Sequence, residues 1–153
     1  MGNLKAESNI KSVIYEAIYK PKIGLSDEDY VKGTNNGTYT DFINDKVGFG
    51  LAQWTYSTRK EALLKTCKGD IGNLQCQLKY LIYELKHDYS EVLSILKSSK
   101  NVKQCSDKVL IDFEKPKNTS ESEKNRRYNF AQNFYDKFSH TLEDSSSNSI
   151  PRQ

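Results

Sequence analysis

From Thr58 to Phe138 the apolar residues of this chain recur three and four positions apart, and that period constrains the fold more than any other feature. Thr58 and Glu61 have capping-box spacing ahead of EALLKT. Leu74, Leu78, Leu81, Ile82 and Leu85 make one stripe of a helix over roughly residues 73–87. Ser90 is placed to cap a short helix carrying Val92, Leu93 and Leu96. Val102, Cys105, Val109, Leu110 and Phe113 make a further stripe, ended by Pro116. Ser120 and Glu123 repeat the capping-box spacing before a last helix lined by Tyr128, Ala131, Tyr135 and Phe138. At 153 residues, such a chain has material for one core and one domain.

Ahead of Thr58 the pattern changes. Residues 8–46 are rich in turn formers, with Pro21, Gly24 and GTNNGTYT, and read as irregular structure with short helical pieces such as SDEDYVK behind Ser26. The stretch VGFGLAQWT then alternates: Phe49, Leu51, Gln53 and Thr55 share one face, and Gly50, Ala52 and Trp54 the other. It predicts a short strand, one arm of a small β-hairpin. The expected fold class is α+β, mainly α-helical, with that hairpin as its β part. The domain is expected over 1–139. Residues 140–153, which include EDSSSNSIPRQ, are too polar to pack and predict a disordered tail or linker.

The composition removes several classes of function. Net charge is +3, but Lys and Arg are interleaved with Asp and Glu, so no phosphate-tracking stripe for nucleic acid exists. No apolar run reaches membrane-spanning length, and MGNLKAESN lacks the apolar segment of a secretory signal. Cys67, Cys76 and Cys105 are odd in number and form no CxxC, which predicts three buried thiols rather than a disulfide framework or zinc site. With His87 and His140 the only histidines, no metal and no cofactor is expected.

Carboxylate chemistry remains. Glu7 stands in LKAESN, where helix-favouring residues give way to Ser8 and Asn9. A glutamate at a helix end can aim into a cleft and serve there as a general acid. Asp41 and Asp45 precede the expected strand. Asp45 is the candidate second carboxylate, and Asp41 is read as a turn former. Gln53 and Trp54 offer an amide and an apolar ring, the two contacts a sugar needs. Tyr39 and Tyr56 are cleft liners or packing residues. Arg126 and Arg127 read as a solvated helix face or a structural ion pair.

The ordered segments GNLKAES, GLSDEDY, NGTYTDFINDKVGFGLAQWTYSTRKEALL, IGNLQCQLKYLIYEL, LIDFEKP and EKNRRYNFAQNFYDKF carry a resemblance. Together they resemble the lysozyme-like superfamily and, within it, the phage tail-tip lysozyme family of Gram-positive phages and related mobile elements, over residues 1 to about 138. The resemblance implies a lysozyme-like fold. It also implies cleavage of peptidoglycan glycan strands at the β-1,4 bond between N-acetylmuramic acid and N-acetylglucosamine. Glu7 matches the family's catalytic glutamate, and Asp45 a recurring acidic position. Gln53 matches a cleft-lining glutamine. Trp54, Tyr39 and Gly50 fall near the implied substrate cleft, with Gly50 letting backbones approach.

Several alternatives follow from the same resemblance. Asp45 acts as nucleophile or as base for water. Otherwise the substrate's own 6-hydroxyl attacks, as in a lytic transglycosylase. A non-catalytic peptidoglycan-binding module of a larger tail protein is the reading from another class. The expected partners are glycan strands and other phage tail proteins, in a virion or at the cell wall. Only six residues precede Glu7, about 9 Å of helix. The first helix is therefore expected to be truncated or supported from elsewhere.

Overall fold

The computed structural model describes residues 1–146. Its helices are α1 (Gly2–Ser8), α2 (Lys20–Ile23, entered through a 3-10 turn at Ala17–Tyr19), α3 (Asp27–Asn36), α4 (Ser57–Cys67), α5 (Leu74–His87), α6 (Ser90–Ser98), α7 (Val102–Lys108) and α8 (Glu121–Ser146). A π-helical segment, Val109–Glu114, continues α7. The backbone of α8 thus runs into the stretch expected as a tail, whose last residues, 147–153, lie outside the described residues.

Local chemistry explains most boundaries. Ser26, Asn73 and Asn101 each accept a backbone N–H from the first turn of α3, α5 and α7. Ser120 does the same for α8, as its spacing to Glu123 predicts. Thr58 does not cap α4. That helix starts at Ser57 behind Tyr56 and has no side-chain cap, because Thr58 is already inside its first turn.

No β-strand forms among the described residues, which corrects the expected hairpin. VGFGLAQWT holds one reciprocal backbone pair, Phe49 with Trp54, and Phe49 also bridges Tyr15. Between them Gly50 (φ 70°) and Gln53 (φ 46°) reverse the chain at once, so the ladder has no room to extend. The expected two-faced pattern fails for the same reason. Val47, Phe49, Leu51, Ala52 and Trp54 are all buried. Burying each large apolar side chain contributes about 1.5–3 kcal/mol, so this turn is a centre of the core rather than a half-exposed arm.

Around it Tyr15 stacks on Tyr30 at 4.5 Å, Phe42 meets Phe49 edge-on at 5.5 Å, and Trp54 leans on Tyr80 at 5.3 Å. Gly50 cannot be replaced here. Besides its positive φ, a Cβ would lie 2.6 Å from Oε1 of buried Gln77. That oxygen accepts from Leu51 N–H, while Gln77 Nε2 donates to the carbonyls of Ser12 and Ile71. One side chain thereby satisfies backbone groups from three segments that have no sheet to serve them.

The seven-residue α1 is held by tertiary contact. Gly2 lies so close to α8 that a Cβ would be 2.5 Å from the Ala131 nitrogen, and Asn3 Nδ2 donates to the Ser106 carbonyl of α7 at 3.1 Å.

The expectation of three free thiols is also corrected. Cys67, at the end of α4, is bonded to Cys76, in the first turn of α5, with Cα atoms 5.6 Å apart, and Cys105 alone is free. The odd count hid a local bridge, because a leftover cysteine says nothing about a pair that a short helix connection brings into bonding range. Closing so short a loop is worth about 2–3 kcal/mol. Alkylation before reduction is expected to label Cys105 alone. Reduction is expected to lower the melting midpoint by roughly 5–10 °C. A midpoint indifferent to reductant would show the bridge to be dispensable.

Candidate active site

Ser8 ties the end of α1 to the glycine turn. It is buried, and its hydroxyl donates to the Leu51 carbonyl at 2.9 Å. Asn9 and Ile10 then adopt left-handed backbone (φ 55° and 62°), which stops the helix at that point. Glu7, one residue before this anchor, has its side chain 17% exposed. Arg127 from α8 donates through Nη2 to Glu7 Oε1 at 2.5 Å, through Nη1 to Asn3 Oδ1 at 3.1 Å and through Nε to Glu123 Oε1 at 2.6 Å. Among the described residues, Glu7 Oε2 accepts no hydrogen bond, so one oxygen is anchored and the other has no protein donor.

Of the two readings of Arg126 and Arg127, the buried Arg127 is the ion pair, and the more exposed Arg126 forks onto Glu123. The Arg126 guanidinium beside Glu123, with Arg127 added to it, holds that carboxyl down at about 2. A second carboxyl, Glu114, lies at the end of the π-helical segment. Burial first, and the charge of Glu7 second, push it well above the usual carboxylate range.

Trp54 is not on the surface of this site. It is 0% exposed, and its indole N–H donates to Glu84 Oε2 at 2.8 Å. Glu84 is itself forked by Arg59 at 2.6 and 2.9 Å. The tryptophan is an anchor whose polar edge is satisfied by a buried carboxylate. Gly50 is likewise closed off by Gln77. Gln53 is half-buried, and its Nε2 donates to the Gly50 carbonyl at 3.0 Å, bracing the turn from within.

Asp45 belongs to a different cluster. Its carboxylate accepts from Lys60 Nζ at 2.5 Å, Tyr30 Oη at 2.6 Å, Tyr39 Oη at 3.0 Å and Val47 N–H at 2.9 Å. Lys60 is 0% exposed, and burial lowers its ammonium affinity for the proton while Asp45 opposes that shift. Burial, together with Asp45, raises both Tyr30 and Tyr39. Asp45 and Tyr39 line a cavity of about 290 Å³ with Tyr19, Lys22, Asp41 and Val47. Glu7 does not line it, and Glu7 and Asp45 share no hydrogen-bond partner.

The matching of known proteins bears on these residues together. The profile of the phage tail lysozyme family matches residues 1–138, which take in α1, the glycine turn and Arg127. The chain belongs to the phage tail lysozyme family. No curated protein and no solved structure matches it. Family membership carries peptidoglycan hydrolysis of a glycosidase type in general, and a virion or extracellular setting fits it. Among the described residues no helix is long and apolar enough to cross a membrane.

Within this phage tail lysozyme domain, reasoning from sequence missed Gln77, Glu84, Arg59, Lys60 and Glu114 as partners of the site. Glu84 carried a readable signal: it sits three residues after Leu81 on the buried stripe of α5, where a charge demands a partner. Lys60 carried none, since its burial depends on Asp45 arriving from another segment.

The Glu123 carboxyl titrates in the fold below its ordinary 4.5, so its ion pairs stabilise the domain above that pH and are lost as pH falls toward about 2. Melting midpoints of the wild type and Glu123→Gln should differ most near neutrality and converge between pH 4.5 and 2. A gap independent of pH would contradict this linkage.

Proposed function

We propose that the domain cleaves the β-1,4 bond between N-acetylmuramic acid and N-acetylglucosamine in peptidoglycan, with Glu7 as the general acid. The observation that carries this reading is the anchoring of Glu7. Ser8 locks the helix end onto the glycine turn, Arg127 grips one carboxyl oxygen, and the other stays open. A general acid needs that arrangement, because proton transfer demands a carboxyl oxygen within hydrogen-bond reach of the leaving glycosidic oxygen. Protonation there lets the bond break through an oxocarbenium-like state. Glu7 is part-exposed, so water can reach the sugar carbon, and hydrolysis is the first reading.

Asp45 supports a second reading. A carboxylate already accepting four hydrogen bonds and paired with a buried lysine is poorly placed to act as nucleophile or base. Without a second carboxylate, the substrate's own 6-hydroxyl can attack and leave a 1,6-anhydro end. Under either reading Asp45 and Lys60 brace the loop before the turn, Tyr39 and Gln53 offer polar edges to the glycan, and Trp54 and Gly50 act through the shape of the turn. Attachment to other tail proteins would bring the domain to the cell wall.

Mass spectrometry of Gram-positive peptidoglycan digested by the wild type, Glu7→Gln and Asp45→Asn tests these roles. Reducing ends on N-acetylmuramic acid are expected with the wild type and absent with Glu7→Gln. Anhydro ends would select the transglycosylase. Asp45→Asn is expected to lose about 3 kcal/mol or more of stability, because it strands Lys60. Per folded molecule it should still cut the same bond. If neither wild type nor variant releases products while both retain glycan binding, the domain is a binding module.

A further inference from the structure

Two cavities lie side by side on the face made by α2, α3 and the loop that follows α3. One, of about 290 Å³, is the cavity that Asp45 lines, and Lys22 and Asp41 line it too. The other, of about 470 Å³, is lined by Leu25, Lys32, Asn36 and Thr38 among others. The two share Ile23 and Tyr39 as walls and so form one trough. Glu7 lines neither half.

The fold itself fixes the walls. Tyr39 N–H donates to the Gly33 carbonyl at 2.9 Å, its ring leans on Tyr30 at 5.0 Å, and its hydroxyl donates to Asp45 at 3.0 Å. Gly33 lets the returning loop lie against α3, since a Cβ there would be 3.0 Å from the Tyr39 Cβ. Asn36 Oδ1 accepts from both the N–H and the hydroxyl of Thr38. A preformed concavity with apolar walls and a few polar groups is the usual form of a ligand site.

The charges in the trough differ from those around it. Lys20 is paired with Asp27, Lys60 is paired with Asp45, and Asp29 accepts from Ser26. Lys22, Lys32 and Asp41 line the trough, and among the described residues their side chains enter no ion pair and no hydrogen bond. Opposite charges held in one concavity without neutralising each other suit a ligand that carries both signs. The hydroxyl and acetamido groups of a glycan strand are neutral and need neither sign. The stem peptide borne by N-acetylmuramic acid carries free carboxylates and, on its diamino acid, an amine.

We propose that the trough is a subsite for this stem peptide, with Lys22 and Lys32 meeting its carboxylates, Asp41 its amine, and Ile23 and Tyr39 its apolar side chains. This rests on the peptidoglycan reading above and adds the part of the substrate that sits apart from the broken bond. Tyr39 offers its edge to the glycan under that reading and is a wall of both cavities, so a stem leaving the strand at Tyr39 enters the trough directly. Contacts to a remote part of a substrate appear as tighter binding or as faster turnover, so kcat/KM is the quantity to read.

The test uses soluble, uncross-linked glycan strands with their stems, and the same strands stripped of stems by an amidase. The wild type should cut the stem-bearing strands with the higher kcat/KM. Lys22→Ala and Asp41→Ala should each lower the ratio of the two values by about twofold to fivefold, the scale of one part-exposed charge contact. Both side chains are exposed, and melting midpoints check that each variant is folded. A wild-type ratio of one, or a ratio that neither variant moves, would overturn the proposal. A second measurement needs no turnover. Titration with the free stem tetrapeptide should shift the amide resonances of Ile23, Gly33 and Tyr39, and the shifts should be lost in the double variant. Absence of those shifts would also overturn the subsite. If the wild type cuts neither kind of strand, the cleavage reading fails, and the peptide titration still decides what the trough binds.

Discussion

The arrangement of this domain depends on one buried guanidinium. Arg127 reaches from α8 to Glu7 and Asn3 across a sequence separation of more than a hundred residues, and its third bond goes to Glu123 on its own helix. Without that bridge α1 is seven residues long, far below the length at which an isolated helix persists in water. Close packing at Gly2 and the Asn3 bond to α7 keep the helix in place. The charge network then orients Glu7, the side chain proposed as general acid. Arg127 holds Glu7 through one charge-assisted bond, and its bonds to Asn3 and Glu123 fix the guanidinium itself.

A second consequence of burial runs through the glycine turn. The turn replaces a hairpin with a single backbone pair, so its other polar groups need side-chain partners in the interior. Gln77, Lys60 and Ser8 supply them to Leu51 N–H, the Val47 carbonyl and the Leu51 carbonyl. Glu84 serves the Trp54 indole in the same way. Each partner is buried, and removing any one leaves a desolvated polar group whose cost exceeds the value of the bond itself. The region beside Glu7 is thus rigid for a reason separate from its hydrophobic contacts.

The same economy separates the acidic residues by role. Asp45 is saturated by donors, Glu84 is forked by an arginine and bonded to the indole, and Glu123 is held ionised by two guanidiniums. Glu7 keeps an open oxygen, and Glu114 keeps an unpartnered one out of solvent. Carboxyls that look equivalent in a sequence are distinguished by how many donors the fold brings to each.

Periodicity alone was enough to locate α5 within a residue and the starts of α6 and α8, because an amphipathic stripe is a local property. Ser90 proves to be the first residue of α6 rather than its cap, and α8 continues to Ser146, past the expected end at 139. The ordered segments were enough to identify the family. They also marked Glu7 and Ser8 as a unit, since helix-favouring and helix-ending residues meet there. The missing hairpin, the burial of Trp54 and the Cys67–Cys76 bond were decided by tertiary structure. Each turns on which distant segment arrives next to it: Tyr15 against Phe49, Glu84 against the indole, α5 against the end of α4. The pairing of Arg127 with Glu7, and the burial of the Glu114 carboxyl oxygen, belong to the same class. Electrostatic environment depends on distances in space, and spacing along the chain does not encode those until the helices have packed.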